Sequence, residues 1–239
     1  MEISSGLRRY VEYRRGDKST LTKSQLFELL DCCQWLRVEI GWMILAKHPS
    51  DYELVDLLRK VPELSEVIGK MILARDRFLG DVLFEIPSLR EEAAKKILEK
   101  ADVSLCLIQA VMLLAPSFSE RAWLKLKEIY SFNKELYFVV EFIEGHCIDA
   151  WSEMMKNQDQ VTSSDLRFVA KYACLSMVRR GAQEYLCRTT ESVDDLSYLI
   201  QLDEVRDPLL RTWIENKLNK IRSLIASRTQ EQLLVVDPE

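Results

Sequence analysis

Residues 36–45, Leu-Arg-Val-Glu-Ile-Gly-Trp-Met-Ile-Leu, return as residues 64–73, Leu-Ser-Glu-Val-Ile-Gly-Lys-Met-Ile-Leu. Six of the ten letters recur at a shift of 28 residues. A chain that repeats itself at this interval builds one small unit over and over, so the repeat constrains the fold before any chemistry does.

With Leu36 as the first slot, equivalents follow at Leu64, Leu89, Phe118, His146, Val178 and Leu210. Four residues on stand Ile40, Ile68, Ala93, Ala122, Ala150, Ala182 and Ile214; eight on stand Ile44, Ile72, Ile97, Leu126, Met154, Leu186 and Leu218. Residues spaced by four share one face of an α-helix, so each copy predicts an apolar helical stripe. Two marks go beyond generic amphipathicity. Arg37, Arg90, Arg179 and Arg211 follow the first slot in four of the seven copies. The fifth residue after it is Gly41, Gly69 and Ala94 in three early copies, then Trp123 and Trp151. Glycine within a helix costs roughly 1 kcal/mol against alanine, and it persists where another backbone must come close. Pro62, Pro87, Pro116 and Pro208 lie two residues before their first slots, where the first turn of a helix tolerates proline.

A second apolar segment separates successive copies, for example Leu54–Leu58, Phe78–Leu83 and Leu105–Leu114, then Leu136–Val140, Phe168–Ala173 and Leu196–Ile200. A unit of about 28 residues thus holds two short helices and two tight turns. Thr22 with Gln25, Ser163-Ser164-Asp165 and Thr189–Ser192 supply helix starts. With 48% hydrophobic and 30% charged residues, the chain can bury a core and stay ordered. Seven glycines and six prolines leave little for the turns of an all-β protein. The expectation is an all-α chain: residues 1–25 a basic arm and cap, 26–226 the repeat domain, 227–239 a tail.

Ile86-Pro87-Ser88-Leu89-Arg90-Glu91-Glu92-Ala93-Ala94 resembles the Pro-x-x-Arg-x-x-Ala piece of the bacterial leucine-rich repeat variants and the short end of the HEAT-like family; Pro208-Leu209-Leu210-Arg211 echoes its start. The resemblance covers about residues 30–222. It implies a right-handed α-solenoid of short helical-hairpin repeats, in a bacterial cytoplasm or similar compartment. Units here are longer and less regular than in that family, and three copies lack the arginine. A founding member also carries a cysteine-ligated iron–sulfur domain, for which this chain has no matching cysteine cluster. A helical bundle that mimics repeats is the alternative.

Net charge is −5, which argues against general nucleic-acid binding. It is unevenly spread: residues 1–25 carry +3 and 227–239 carry −2, leaving −6 between them. The arm, with Arg8, Arg9, Arg14 and Arg15, reads as a solvated leader or a contact for body, partner or phosphate. The apolar tail Leu233–Val236 docks or frays. The N-terminus lacks the apolar core of a secretory signal, and no apolar run reaches the roughly 18 residues of a membrane span. Six cysteines without Cys-x-x-Cys read as buried free thiols.

Chemistry has few candidates. His48 and His146 are the only histidines. His146 with Asp149, Cys147 and Glu144 offers two ligands at best, short of the three or four a zinc site needs. No glycine-rich phosphate loop or nucleophile elbow is present. Glu91-Glu92 and Asp194-Asp195 read as solvated faces, because neighbours on a helix diverge by about 100°. No cofactor and no metal are expected.

Trp123 and Trp151 share a slot in adjacent copies, with Tyr130 and Tyr137 between them. Exposed, these rings form a ridge that anchors a protein or peptide partner; buried, they thicken the core. The chain reads as a non-enzymatic protein-binding scaffold. The alternative is a HEAT-like nucleic-acid-binding or DNA-repair protein, a reading that gains ground if Arg37, Arg90, Arg179 and Arg211 line one groove with the two tryptophans.

Overall fold

A computed structural model describes residues 21–129, 133–202 and 208–234, with the backbone alone at 133–135 and 228–234. Every regular element among the described residues is helical, and none of them forms a strand. The α-helices are α1 (Lys23–Cys32), α2 (Arg37–Ala46), α3 (Asp51–Lys60), α4 (Ser65–Arg75), α5 (Leu79–Glu85), α6 (Arg90–Glu99) and α7 (Leu105–Leu114). They continue as α8 (Ser119–Ile129), α9 (Asn133–Phe142), α10 (Cys147–Lys156), α11 (Ser163–Tyr172), α12 (Ser176–Thr189), α13 (Val193–Gln201) and α14 (Pro208–Leu234).

Five copies share one hinge. The first helix of the pair ends on a single buried residue: Cys33, Val61, Ile86, Ala115 or Ile143. Its φ lies between −113° and −130°, outside the helical region. Its N–H still donates to the carbonyl four residues back, at 2.8–3.0 Å, so the chain bends without losing that bond. Proline follows in three cases, and its ring keeps the preceding residue out of the helical region. A three-residue 3₁₀ turn comes next and ends on the first slot, whose N–H donates to the hinge carbonyl at 2.9–3.0 Å. Pro62, Pro87 and Pro116 therefore open a 3₁₀ turn and not the α-helix itself, while Pro208 does open its α-helix.

The apolar stripe is the core. All seven residues of the second slot, from Ile40 to Ile214, are fully buried, and so in effect are the seven from Ile44 to Leu218. Thr22 and Gln25 form the expected capping box, and Ser50 with Glu53 forms another. The cap of α11 is Thr162, paired with Asp165, one residue before the serines. His48 (φ 51°), one residue past the cap of α2, and its equivalent Asp76 (φ 56°), the cap of α4, are both in left-handed conformation.

The helices fall into two compact units, residues 1–125 and 126–239, divided within α8. In the first, α1 packs on α2, α3 on α4 and α5 on α6, and α7 lies against both α5 and α6. In the second, α9 pairs with α10, α11 with α12 and α13 with α14; α11 touches α9 and α13, and α12 touches α10.

The small residues mark where consecutive copies meet. A Cβ on Gly41 would fall 2.7 Å from Leu64 Cδ1 of the next copy; one on Gly69 would fall 2.3 Å from Ile86 Cδ1 and 2.7 Å from Leu89 Cδ1 of the copy after. Backbone approaches that closely only because the side chain is absent. The position five after the first slot thus faces the following pair.

Candidate binding surface

That geometry decides the fate of the tryptophan slot. Trp123 occupies the position of Gly41 and Gly69, and its ring is 2% exposed, among the largest fully buried side chains. It is a core residue and offers no exposed anchor, which corrects the ridge at that position. Trp151 is half-buried, its Nε1 3.6 Å from where a Cβ on Gly181 of the next copy would stand. Here the bulky partner sits on the earlier helix and the glycine on the later one, the reverse of Gly41 and Leu64. Tyr137 is half-buried and stacks on Phe168 at 4.4 Å. Tyr130 lies outside the described residues, as do the arginines of the N-terminal arm.

Exposed rings lie elsewhere, at Trp35, Trp42, Tyr52, Phe84 and Phe142 among others, and two of them share one helix face. Trp35 (68% exposed), Val38 and Trp42 (50%) lie three and four residues apart along the 3₁₀ turn and α2, on one face of the helix. The same positions in the next copy hold Glu63, Glu66 and Lys70, and in the third Ser88, Glu91 and Lys95, all exposed. Only the first copy of these three carries rings where its successors carry solvated charge. A buried tryptophan gains by leaving water, and the indoles of Trp35 and Trp42 do not make that gain within this chain. The sequence signal existed, since Trp35 and Trp42 straddle the repeat's first line. Trp123 and Trp151 repeat each other across the slots, whereas Trp35 and Trp42 have no counterparts in the next two copies.

A second apolar surface runs along α14, where Leu209, Trp213, Leu224 and Ile225 are exposed. A groove of about 780 Å³ is lined by Trp213, Lys217, Lys220, Ile221, Leu224 and Ile225, with Glu191 on its rim.

The four arginines that would favour a nucleic-acid groove each have a partner within the chain. Arg37 pairs with Glu63 of the next copy, and its hydrogen bond holds that carboxyl below its usual pKa. Arg90 Nε donates to the Leu83 carbonyl at 3.1 Å, closing the end of the preceding helix. Arg179 donates to the carbonyls of Ala173 and Cys174, and Arg211 Nε to Glu215 at 3.2 Å.

The second unit also buries charge. Asp195, 3% exposed, is not the solvated carboxylate expected of an Asp-Asp pair; Asp194 alone is exposed. Burial pushes its pKa up, but hydrogen bonds from Thr190 (2.7 Å), Arg167 (2.6 Å) and Ser163 outweigh this and lower it. The Arg167 guanidinium lies over the Tyr198 ring.

All six cysteines are free: Cys33, Cys147 and Cys187 are buried and Cys174 partly so, while Cys32 and Cys106 are exposed against expectation. Burial, and a hydrogen bond that the Cys174 thiol donates to Cys147, push it up to about 11, a value that keeps it protonated and unreactive at neutral pH. His146 is buried at the first slot, its neighbour Cys147 is buried and Asp149 is exposed. Among the described residues, no group of three or more His, Cys, Asp or Glu side chains is placed to hold a metal ion. No described helix is long and apolar enough to cross a membrane. No family model matches the chain, and no curated protein or solved structure shows significant similarity to it.

Proposed function

We propose that this chain is a non-enzymatic scaffold that binds a protein partner through the Trp35, Val38 and Trp42 face. The observation that carries the reading is the contrast between that face and the charged equivalents of the next two copies, Glu63, Glu66, Lys70 and Ser88, Glu91, Lys95. Tryptophan dominates binding energy at interfaces because one ring removes much apolar area from water at little entropic cost. The architecture we propose is a right-handed α-solenoid of helical pairs, HEAT-like or of the leucine-rich repeat variant kind. Its support is the recurring hinge and the approach of Gly41 and Gly69 to the next copy. The nucleic-acid reading gains no such support, with Arg37, Arg90, Arg179 and Arg211 engaged as above.

The test is capture of a partner from an extract of the source cell by the wild-type chain, by Val38→Glu with Trp42→Ser, and by Lys70→Glu as a surface control. The double variant is expected to lose the captured protein and keep its melting temperature, since both positions are exposed. Undiminished capture by the double variant removes the reading.

A further inference from the structure

The repeat extends ahead of Leu36. Leu7-Arg8 stands 29 residues before Leu36-Arg37 and carries the same two letters as Leu36-Arg37, Leu89-Arg90 and Leu210-Arg211. Four residues on is Val11, apolar like Ile40 and Ile68. The distance to the next helix cap agrees as well. Leu7 lies 15 residues before Thr22, as Leu89 lies 15 before Ser104 and Leu36 lies 14 before Ser50. Thr22, Ser50 and Ser104 each cap the helix that follows. Residues 7–15 therefore read as the second helix of a further, partial copy, stopped at Gly16 as helices commonly are. Two positions depart from the pattern: Arg15 stands in the third apolar slot, and Glu12 stands where Gly41 and Gly69 face the next pair.

The described residues show what such a helix meets. Leu64 and Leu89, first slots of the second and third copies, are buried against the glycine-bearing helix before them. Leu36 holds the same slot in the first copy and is only half-buried, and no described helix precedes α1. The residue just before the first slot is a second point of contact between copies. Arg37 pairs with Glu63 there, and Ser117 Oγ donates to Glu91 at 2.7 Å. In the first copy that residue is Trp35, and the arginine equivalent to Arg37 is Arg8. Tryptophan is the best ring for a cation–π contact, so a guanidinium that meets a carboxylate at one joint meets an indole at the other. Only residues 16–21 separate the segment from the Thr22 cap. So short a link holds it beside α1 at about millimolar effective concentration, against which a separate molecule must compete.

We infer that residues 7–15 dock as an amphipathic helix on the side of α1 and α2 that bears Leu36 and Trp35. Leu7 and Val11 turn toward α1, in the way that α4 lies on α5 and α6 on α7. Arg8 lies over the Trp35 ring. The stem of Glu12 runs along Leu36 and leaves its carboxylate in water. Val38 and Trp42 correspond to the exposed Glu66 and Lys70 of the next copy, so the docked arm leaves them uncovered. The inference does not rest on the scaffold reading, whose test turns on those two residues.

The experiment is brief trypsin digestion of the full chain, with cleavage after Arg15 read by intact mass. A docked segment must open before it is cut, so the rate follows the open population. Leu7→Asp with Val11→Asp is expected to speed the cut at least about tenfold. Tyr13→Ser, at the outward position equivalent to Trp42, is expected to leave it unchanged. Arg8→Gln and Trp35→Leu are each expected to speed it about threefold, and both together no more than either alone. A wild-type arm cut as fast as the double aspartate variant overturns the inference, and so do Arg8 and Trp35 effects that multiply. Protection that grows with chain concentration places the arm on a second molecule. Protection that needs phosphatidylserine vesicles places it on a lipid surface. Either result also overturns it.

Discussion

Glycine does opposite things at two positions of this chain, and the difference is steric. At Gly69 a methyl group would meet Ile86 and Leu89 side-chain ends at 2.3 and 2.7 Å; at Gly145 it would meet nothing within 4 Å. Helix propensity alone favours alanine at Gly69 by roughly 1 kcal/mol. Overpacking a filled contact costs about 1 to 3 kcal/mol, and two side chains must shift at once. Gly69→Ala is therefore expected to lose about 1 kcal/mol net, while Gly145→Ala gains about 0.5 kcal/mol by reducing unfolded-chain freedom. Urea midpoints of the two variants check this. A more stable Gly69→Ala protein shows that close approach of the next copy is not why glycine stands there. The repeat made Gly41 and Gly69 legible as contact points from sequence alone. It could not tell that the same slot, filled by Trp123, still points inward, because size carries no direction.

At the level of elements, helices were legible and the joints between them were not. Periods of three and four residues gave α2, α4, α6 and their partners, since burial of one stripe is what those helices are for. The five hinges were not legible, because a single non-helical residue such as Val61 or Ile143 has no composition of its own; only the proline after Val61, Ile86 and Ala115 signals it. The buried carboxylate was missed for a related reason. Asp194 and Asp195 look alike in sequence, and only the arrival of Arg167 and Thr190 from other elements distinguishes them. Asp195 on α13 holds Arg167 on α11, so the pair ties neighbouring first helices together. Its folded-state pKa is lowered, so its contribution is complete above the unfolded value near 3.9 and fades as pH falls through the folded one. Asp195→Asn is expected to cost about 3 kcal/mol at neutral pH, because a partly buried guanidinium loses its partner. The gap between variant and wild type should close below about pH 4. Denaturant midpoints at both pH values measure it; a gap that does not change with pH shows that the carboxylate's charge is not what ties the helices.

At the scale of the molecule, the last copy of the solenoid we propose differs from the interior pattern in one respect. In the first two copies the fifth and ninth residues after the first slot are Gly41, Leu45 and Gly69, Leu73, all buried; the third has Ala94 and Leu98, buried likewise. In the last copy they are Glu215 and Asn219, both exposed, with Arg211 and Arg222 on the same side of α14. Glu215 is ion-paired to Arg211, one turn back, so that face is satisfied without any neighbour. A repeat array needs such a polar end, because an apolar one invites the next unit from another molecule. Glu215→Leu with Asn219→Leu restores the residue types of the interior copies. Leucine is at least as good a helix former as either, so α14 is expected to survive intact. The variant is expected to associate in a concentration-dependent way, read by sedimentation velocity, at loadings where the wild-type chain does not. The matched variant Arg211→Gln, which frees Glu215 and leaves the face polar, is expected to sediment as wild type. If the double leucine variant also sediments unchanged, the side of α14 bearing Glu215 is not the side on which a further pair would stack. The correspondence between the last copy and the first three then fails at its end.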